Sequence, residues 1–218
     1  MATRLKFDEL NALGNTRVKK SKKPMPIPYR EYFGAMYITP EQMRSRVELS
    51  EEIEDVMLFV FAYWAIAASA ELSVEEVKQD AKEKLRTVIG KHTKLDPYLE
   101  KHIDKLIDEV VDTTERHKDD SDYWTSPERA MLIAENEANS FDNYAEYREA
   151  ALSGRTKKKW LTEADDKVRL THELAEGQTV DIDGLFLIGD SFMRFPMDTM
   201  YDPDPQEIVN CRCACVYE

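Results

Sequence analysis

The sequence predicts an α+β protein in which a helical N-terminal region of about four helices precedes a small β-rich unit. Three observations lead to it. Between residues 39 and 154 apolar side chains recur at three- and four-residue spacing behind recognisable helix starts. After Gly154 the spacing changes to alternation broken by Gly, Asp and Pro. At 218 residues and 42% hydrophobic, the chain can bury one good core or two modest ones. The expected divisions are a basic extended arm over 1–38, a helical region over 39–125, and a leading helix plus β unit over 126–218.

The first 38 residues mix basic side chains with Pro24, Pro26 and Pro28 and keep no sustained period, so they are expected to be extended. Helix begins at Thr39-Pro40-Glu41-Gln42, where Thr39 can cap free N–H groups, Pro40 suits the first turn and Gln42 completes a capping box. Leu49, Ile53, Val56 and Val60 hold one apolar face, and from Val56 to Ala70 the segment is apolar nearly all round. That run of about 15 residues is short of the roughly 20 needed to cross a bilayer, so a buried core helix is expected rather than membrane contact. Ser73-Val74-Glu75-Glu76 is a second capping box, followed by Val77, Ala81, Leu85 and Val88, with Gly90 as the expected stop. A third helix begins at Asp96-Pro97 and carries Leu99, Ile103, Leu106 and Val110. The fourth runs from Ser126-Pro127-Glu128 to Gly154, with Met131, Ala134, Ala138, Phe141 and Ala145 on one side. Beyond it, Lys157–Leu161 reads as a strand and 168–174 as a short helix. Val180 with Ile182, 185–188, 192–195 and 208–217 read as further strands.

Charge narrows the classes of partner. With 43 acidic against 30 basic side chains the net charge is −13, which argues against nucleic acid coating the whole surface. The first 30 residues are the exception, holding Arg4, Lys6, Arg17, Lys19, Lys20, Lys22, Lys23 and Arg30 against Asp8 and Glu9. Such an arm can grip phosphate or an acidic partner, and Arg17, Lys19, Lys20, Lys22 and Lys23 are the candidate contacts, with a solvated charge run as the alternative. The same two readings apply to the cluster from Arg155 to Lys159. No apolar run follows Met1, so no secretory signal is expected and synthesis in the cytoplasm is. No glycine-rich phosphate loop occurs, and His92, His102 and His117 read as surface residues.

The last third carries a distinctive series. In order it gives Trp160-Leu161-Thr162, Asp165-Asp166-Lys167-Val168-Arg169, His172, Gly177-Gln178, Phe195-Pro196 and Asn210-Cys211-Arg212-Cys213. Asp165 and Arg169 are four apart and Arg169 and His172 three apart, so on a short helix they would share a face. An ion-pair and hydrogen-bond network is one reading, and an acid/base site the other, although no nucleophile motif accompanies it. Cys211, Cys213 and Cys215 alternate, so on a strand their thiols would face one side. They read as buried reduced thiols, with a zinc site completed by His172 as the alternative. Cys-x-Cys is a less favourable spacing than Cys-x-x-Cys.

The series resembles the Mu F-like phage head-morphogenesis family of minor head, or minor capsid, proteins. Members of that family show a Trp-x-Thr start, an Asp-Asp-x-x-Arg-x-x-His core, a Gly-Gln turn, a Pro-containing strand and a closing Asn-Cys-Arg-Cys. The resemblance covers about 128–218, taking in the helix with Ala130, Ile133, Ala134, Glu135, Glu137 and Asn139. It departs at Leu170, where a proline is common, and at Met197, where a glycine is common. It implies structural roles for Trp160, Asp165, Asp166, Arg169, His172, Gly177, Pro196, Asn210, Cys211, Arg212 and Cys213, with no catalysis and no cofactor required. It further implies a virion protein at the capsid interior or portal vertex, engaged in head assembly and DNA packaging or delivery. The implied partners are the portal protein, with scaffold, major capsid protein or packaged DNA as additional ones, and no membrane. Because such domains also occur joined to effectors, an enzyme is the alternative class, and a non-specific DNA-binding accessory protein is the third. With the Cys-rich strand of 208–217 closing the series, no catalytic domain is expected after it, and residues 1–125 show no recognisable catalytic constellation.

Overall fold

The computed structural model describes residues 29–70 and 73–218. The arm residues Arg17, Lys19, Lys20, Lys22 and Lys23 lie outside the described residues. The fold is α+β. In chain order the helices are α1 (Tyr29–Gly34), α2 (Pro40–Ala70), α3 (Val74–His92), α4 (Pro97–Arg116), α5 (Ser121–Trp124) and α6 (Pro127–Leu152), with a 3-10 turn at Lys118–Asp120. Then follow β1 (Lys157–Leu161), α7 (Leu170–Ala175), β2 (Thr179–Asp181), β3 (Phe186–Ile188), β4 (Ser191–Met193), α8 (Pro205–Ile208) and β5 (Ala214–Tyr217).

Helix starts fall where local capping chemistry puts them. Thr39 Oγ1 accepts from the Gln42 N–H at 3.2 Å and Gln42 Oε1 from the Thr39 N–H at 2.8 Å. Ser73 and Glu76 form the second capping box, and Asp96 accepts from the N–H groups of Tyr98 and Leu99 ahead of Pro97. Three readings need correction. Tyr29–Gly34, expected to be extended, forms a helical turn that buries Tyr29 and Phe33. Gly90 lies inside α3, which continues to His92, because it does not take the left-handed conformation that ends a helix and the cap falls at Thr93 instead. Within 208–217 only Ala214–Tyr217 is strand; Asp204 caps a short helix at Pro205, the same Asp-Pro device that starts α4.

The described residues group into two compact units, Leu49–Ala134 and the paired segments 29–48 and Glu135–Glu218. The divisions at 38/39 and 125/126 read from the sequence therefore mark helix starts, whereas the unit boundaries fall within α2 and α6. In the first unit Leu49, Ile53, Met57, Val60, Val77, Leu85, Ile103 and Ile107 are buried, and α2 is covered nearly all round from Val56 to Ala67. Across α3 and α4 a ladder of half-buried charges repeats every turn: Lys78 to Asp112 at 2.7 Å, Lys82 to Asp108 at 2.8 Å, and Arg86 to Glu100 and Asp104. The histidines expected at the surface are half-buried here, His117 stacking on Trp124 at 3.9 Å. No described helix is long and apolar enough to cross a membrane.

The second unit is built on a three-stranded antiparallel sheet of order β2-β1-β5 and a hairpin, β3-β4. Its core gathers Trp160, Ala175, Phe186, Ile188, Met193, Met197 and all three cysteines. Polar side chains of α6 anchor the irregular segments: Asn143 Nδ2 donates to Pro196 O at 3.1 Å, Ser140 to Met197 O at 3.3 Å and Asn139 Nδ2 to Cys211 O at 2.9 Å. Arg46, fully buried, donates to the Oδ1 atoms of Asn139 and Asn143 and pairs with Glu146 at 2.8 Å. These bonds take over from ladder hydrogen bonds where the chain is neither helix nor strand.

Candidate functional site

His172 stands on α7, whose first residue, Leu170, follows Arg169 in an extended conformation at φ −67° and ψ 147°. The ring is only 2% exposed. Its Nε2 lies 3.0 Å from Glu207 Oε2, and because a carboxylate only accepts, Nε2 carries a proton. The Thr171 hydroxyl donates to the same carboxylate oxygen at 2.8 Å. On the other side, Nδ1 lies 3.2 Å from Cys213 Sγ and 3.6 Å from Cys211 Sγ. The three ligand-type atoms all fall within 4.8 Å of one another. Trp160 closes the cluster from β1, edge-on to His172 at 5.8 Å and to Phe186 at 5.2 Å.

Electrostatics within the cluster are uneven. The Cys213 thiol donating to Cys211, with His172 beside it, holds the Cys211 thiol well below the ordinary range. Cys213 is pushed up by that same sharing and by burial. Burial opposes the charged form of His172, but the bond to Cys211, the charge of Cys211 and that of Glu207 together outweigh it and hold the imidazole above its usual value. Two buried sulfurs and one imidazole thus share protons in a space with little water.

The cluster differs from the expected one in two ways. Cys215 is buried but stands apart from His172, because it sits on β5 opposite Trp160 and lines a groove with Thr39, Glu146 and Tyr217. Burial pushes its thiol up. The shared helical face of Asp165, Arg169 and His172 does not form, since α7 begins only at Leu170 and residues 165–168 turn ahead of it. Asp165 instead accepts from the Lys167 N–H at 3.0 Å and pairs with Arg212, whose Nη2 is 2.8 Å from both carboxylate oxygens. Asp166 is exposed, and the Arg169 guanidinium donates to the carbonyl of Val209.

The remaining singled-out residues shape the backbone. Gly177 takes φ +74° and donates to Trp160 O at 2.9 Å, a conformation that favours glycine. Asn210, at φ +56°, turns the chain into Cys211 while its N–H donates to Asn136 Oδ1 at 2.7 Å. Pro196 presents its carbonyl to Asn143. The two departures keep this geometry: Met197 adopts φ +68°, and Leu170 stands at the first helical position, where proline also fits. The basic cluster splits, because Lys158 is fully buried and donates to Ile182 O at 2.6 Å while Arg155 and Lys157 stay exposed.

Sequence reasoning missed Glu207, Arg46 and the Arg194–Asp198 pair, in which the fully buried Asp198 accepts from Arg194 Nε at 2.7 Å. Arg46 had a signal, standing three residues before Leu49 on the apolar face of α2. Glu207 had none, since it meets His172 only through the tertiary fold. Compared with protein-family models, curated proteins and solved structures, the chain matches none of them. Chemically, two sulfurs, an imidazole lone pair and a carboxylate behind the ring can hold a soft or borderline cation, or share protons as a buried polar core.

Proposed function

We propose that this chain is a non-catalytic, structural minor head protein of a tailed bacteriophage, with a Mu F-like unit over its last third, acting at the portal vertex or capsid interior. The observation that carries the reading is convergence. Trp160, His172, Cys211 and Cys213 meet in one buried cluster, while Gly177, Arg169, Asn210 and the Asp165–Arg212 pair set the backbone around it. A series of residues that resembles a family signature thus behaves as one structural unit rather than as scattered matches. The function would be binding: the second unit holds its irregular segments rigid and presents them to the portal, with scaffold or major capsid protein as further contacts. The basic arm would meet packaged DNA or an acidic neighbour.

Burial favours this reading over an enzyme. Thiol, imidazole and carboxylate stand in the order of a nucleophilic triad, but Cys211 and Cys213 are 1% and 4% exposed, which denies a substrate approach. Chemical cross-linking of assembling heads tests the binding claim. Cross-links between this chain and the portal protein are expected, and heads in which it cross-links to nothing would overturn the reading. A purely DNA-binding role would show instead as affinity for duplex DNA that falls steeply with added salt.

A further inference from the structure

We propose that His172 Nδ1, Cys211 Sγ and Cys213 Sγ bind one zinc ion that ties α7 to the segment entering β5. The inference does not depend on the head-protein reading. Zinc bonds of about 2.0–2.3 Å place tetrahedral ligand atoms about 3.5–3.8 Å apart. The Nδ1 to sulfur separations of 3.2 and 3.6 Å need only small adjustments to meet that spacing.

Two further observations point to a metal rather than to packed thiols. The first is Glu207. Its carboxylate, 13% exposed, accepts the hydrogen bond from Nε2–H and so fixes the tautomer in which, once the ring is neutral, the Nδ1 lone pair faces both sulfurs. A carboxylate behind the distal nitrogen is the usual outer support of a zinc-bound histidine, fixing its tautomer and raising its basicity. The second is the Trp160 indole N–H beside the cluster, which is fully buried and has no hydrogen-bond partner among the described residues. A core of neutral thiols requires neither group.

Gly189 shows how closely the support is built. It opens the β3-β4 turn at φ +58°, and a Cβ there would lie 2.9 Å from Glu207 Oε1 and 3.2 Å from the Thr171 methyl. Zinc displaces the protons of both thiols into solvent, so each sulfur enters as thiolate, and the fourth position takes a water molecule or another small ligand. The link joins parts of a unit whose strands are only three to five residues long.

Cobalt(II) titration of the reduced, metal-stripped full chain tests the site. One equivalent is expected to give the near-ultraviolet thiolate-to-cobalt band, and zinc to abolish it. Cys215→Ser should keep the band, Cys211→Ser and Cys213→Ser should lose it, and Glu207→Gln should keep it with affinity about 10–100-fold weaker. Absence of the band in the unaltered chain overturns the proposal without reference to any variant. So does a band that survives both Cys211→Ser and Cys213→Ser, or one lost in Cys215→Ser alone.

Discussion

Leu170 is 69% exposed at the first position of α7, and no intrahelical bond needs its N–H there. Arg169 before it already holds the extended backbone that a following proline demands. Leu170→Pro is therefore expected to stabilise the protein by about 0.4–1 kcal/mol, read from urea denaturation, chiefly by restricting the unfolded chain. A loss of stability would show that the α7 start is not as described. Lys158 makes a second residue-scale case. Burial lowers its pKa from 10.5 to about 8, against the opposing pull of Cys215, with Arg194, Asp198 and Asp183 also acting on it. The unfolded chain then binds the proton more tightly, so this group's contribution to stability rises as pH climbs from about 8 to 10.5 and is absent below. Lys158→Met should remove that rise, so the stability difference between wild type and variant should grow in favour of wild type across the window. A difference that stays flat with pH would mean that the amine is solvated. No feature of the sequence marks Lys158 as the inward member of its cluster except its place on β1, where alternation turns it and Trp160 the same way.

Among the elements, α3 and α4 are held in register by charges that sequence periodicity alone does not pair. Lys78, Lys82 and Arg86 recur every four residues, and so do Glu100, Asp104, Asp108 and Asp112 in the opposite direction. Each partly solvated pair contributes modestly, but together they set an antiparallel alignment. Reversing Lys78, Lys82 and Arg86 to Glu should lower the melting temperature most at low salt, and the deficit should shrink as salt screens the repulsion. A deficit indifferent to salt would assign the loss to packing. The Asn139 clamp on α6 works differently, since it is fully buried and serves Arg46 and Cys211 O at once. Asn139→Ala should cost about 2–4 kcal/mol by leaving a buried cation and a carbonyl short of partners. An Arg46–Asn139 double-mutant cycle should show strong coupling, and simple additivity would contradict the clamp. Helix starts were legible because Thr39, Ser73, Asp96 and Ser126 act on their own next turn. The clamp was not, because its partners lie far apart in the chain.

Across the whole molecule, what could be read in advance divides by the range of the interaction. The α+β class, the four long helices and β1 follow from local spacing and capping, and the buried stretch of α2 follows from its composition. The unit boundaries, the Asp165–Arg212 pair and Glu207 behind His172 depend on tertiary contacts that spacing does not encode. For the candidate site, the sequence named His172, Cys211 and Cys213 but attached Cys215 to them, because alternation assumes one continuous strand, whereas Cys211 and Cys213 lie ahead of β5 and Cys215 lies on it. The central claim concerns the molecule as an assembly component, and quantitative mass spectrometry of purified heads and scaffold-containing precursors tests it most directly, by counting this chain against portal and major capsid protein. A few copies per portal vertex are expected of a minor head protein. Absence from every particle would contradict that role and turn attention to an enzyme or a free DNA-binding protein.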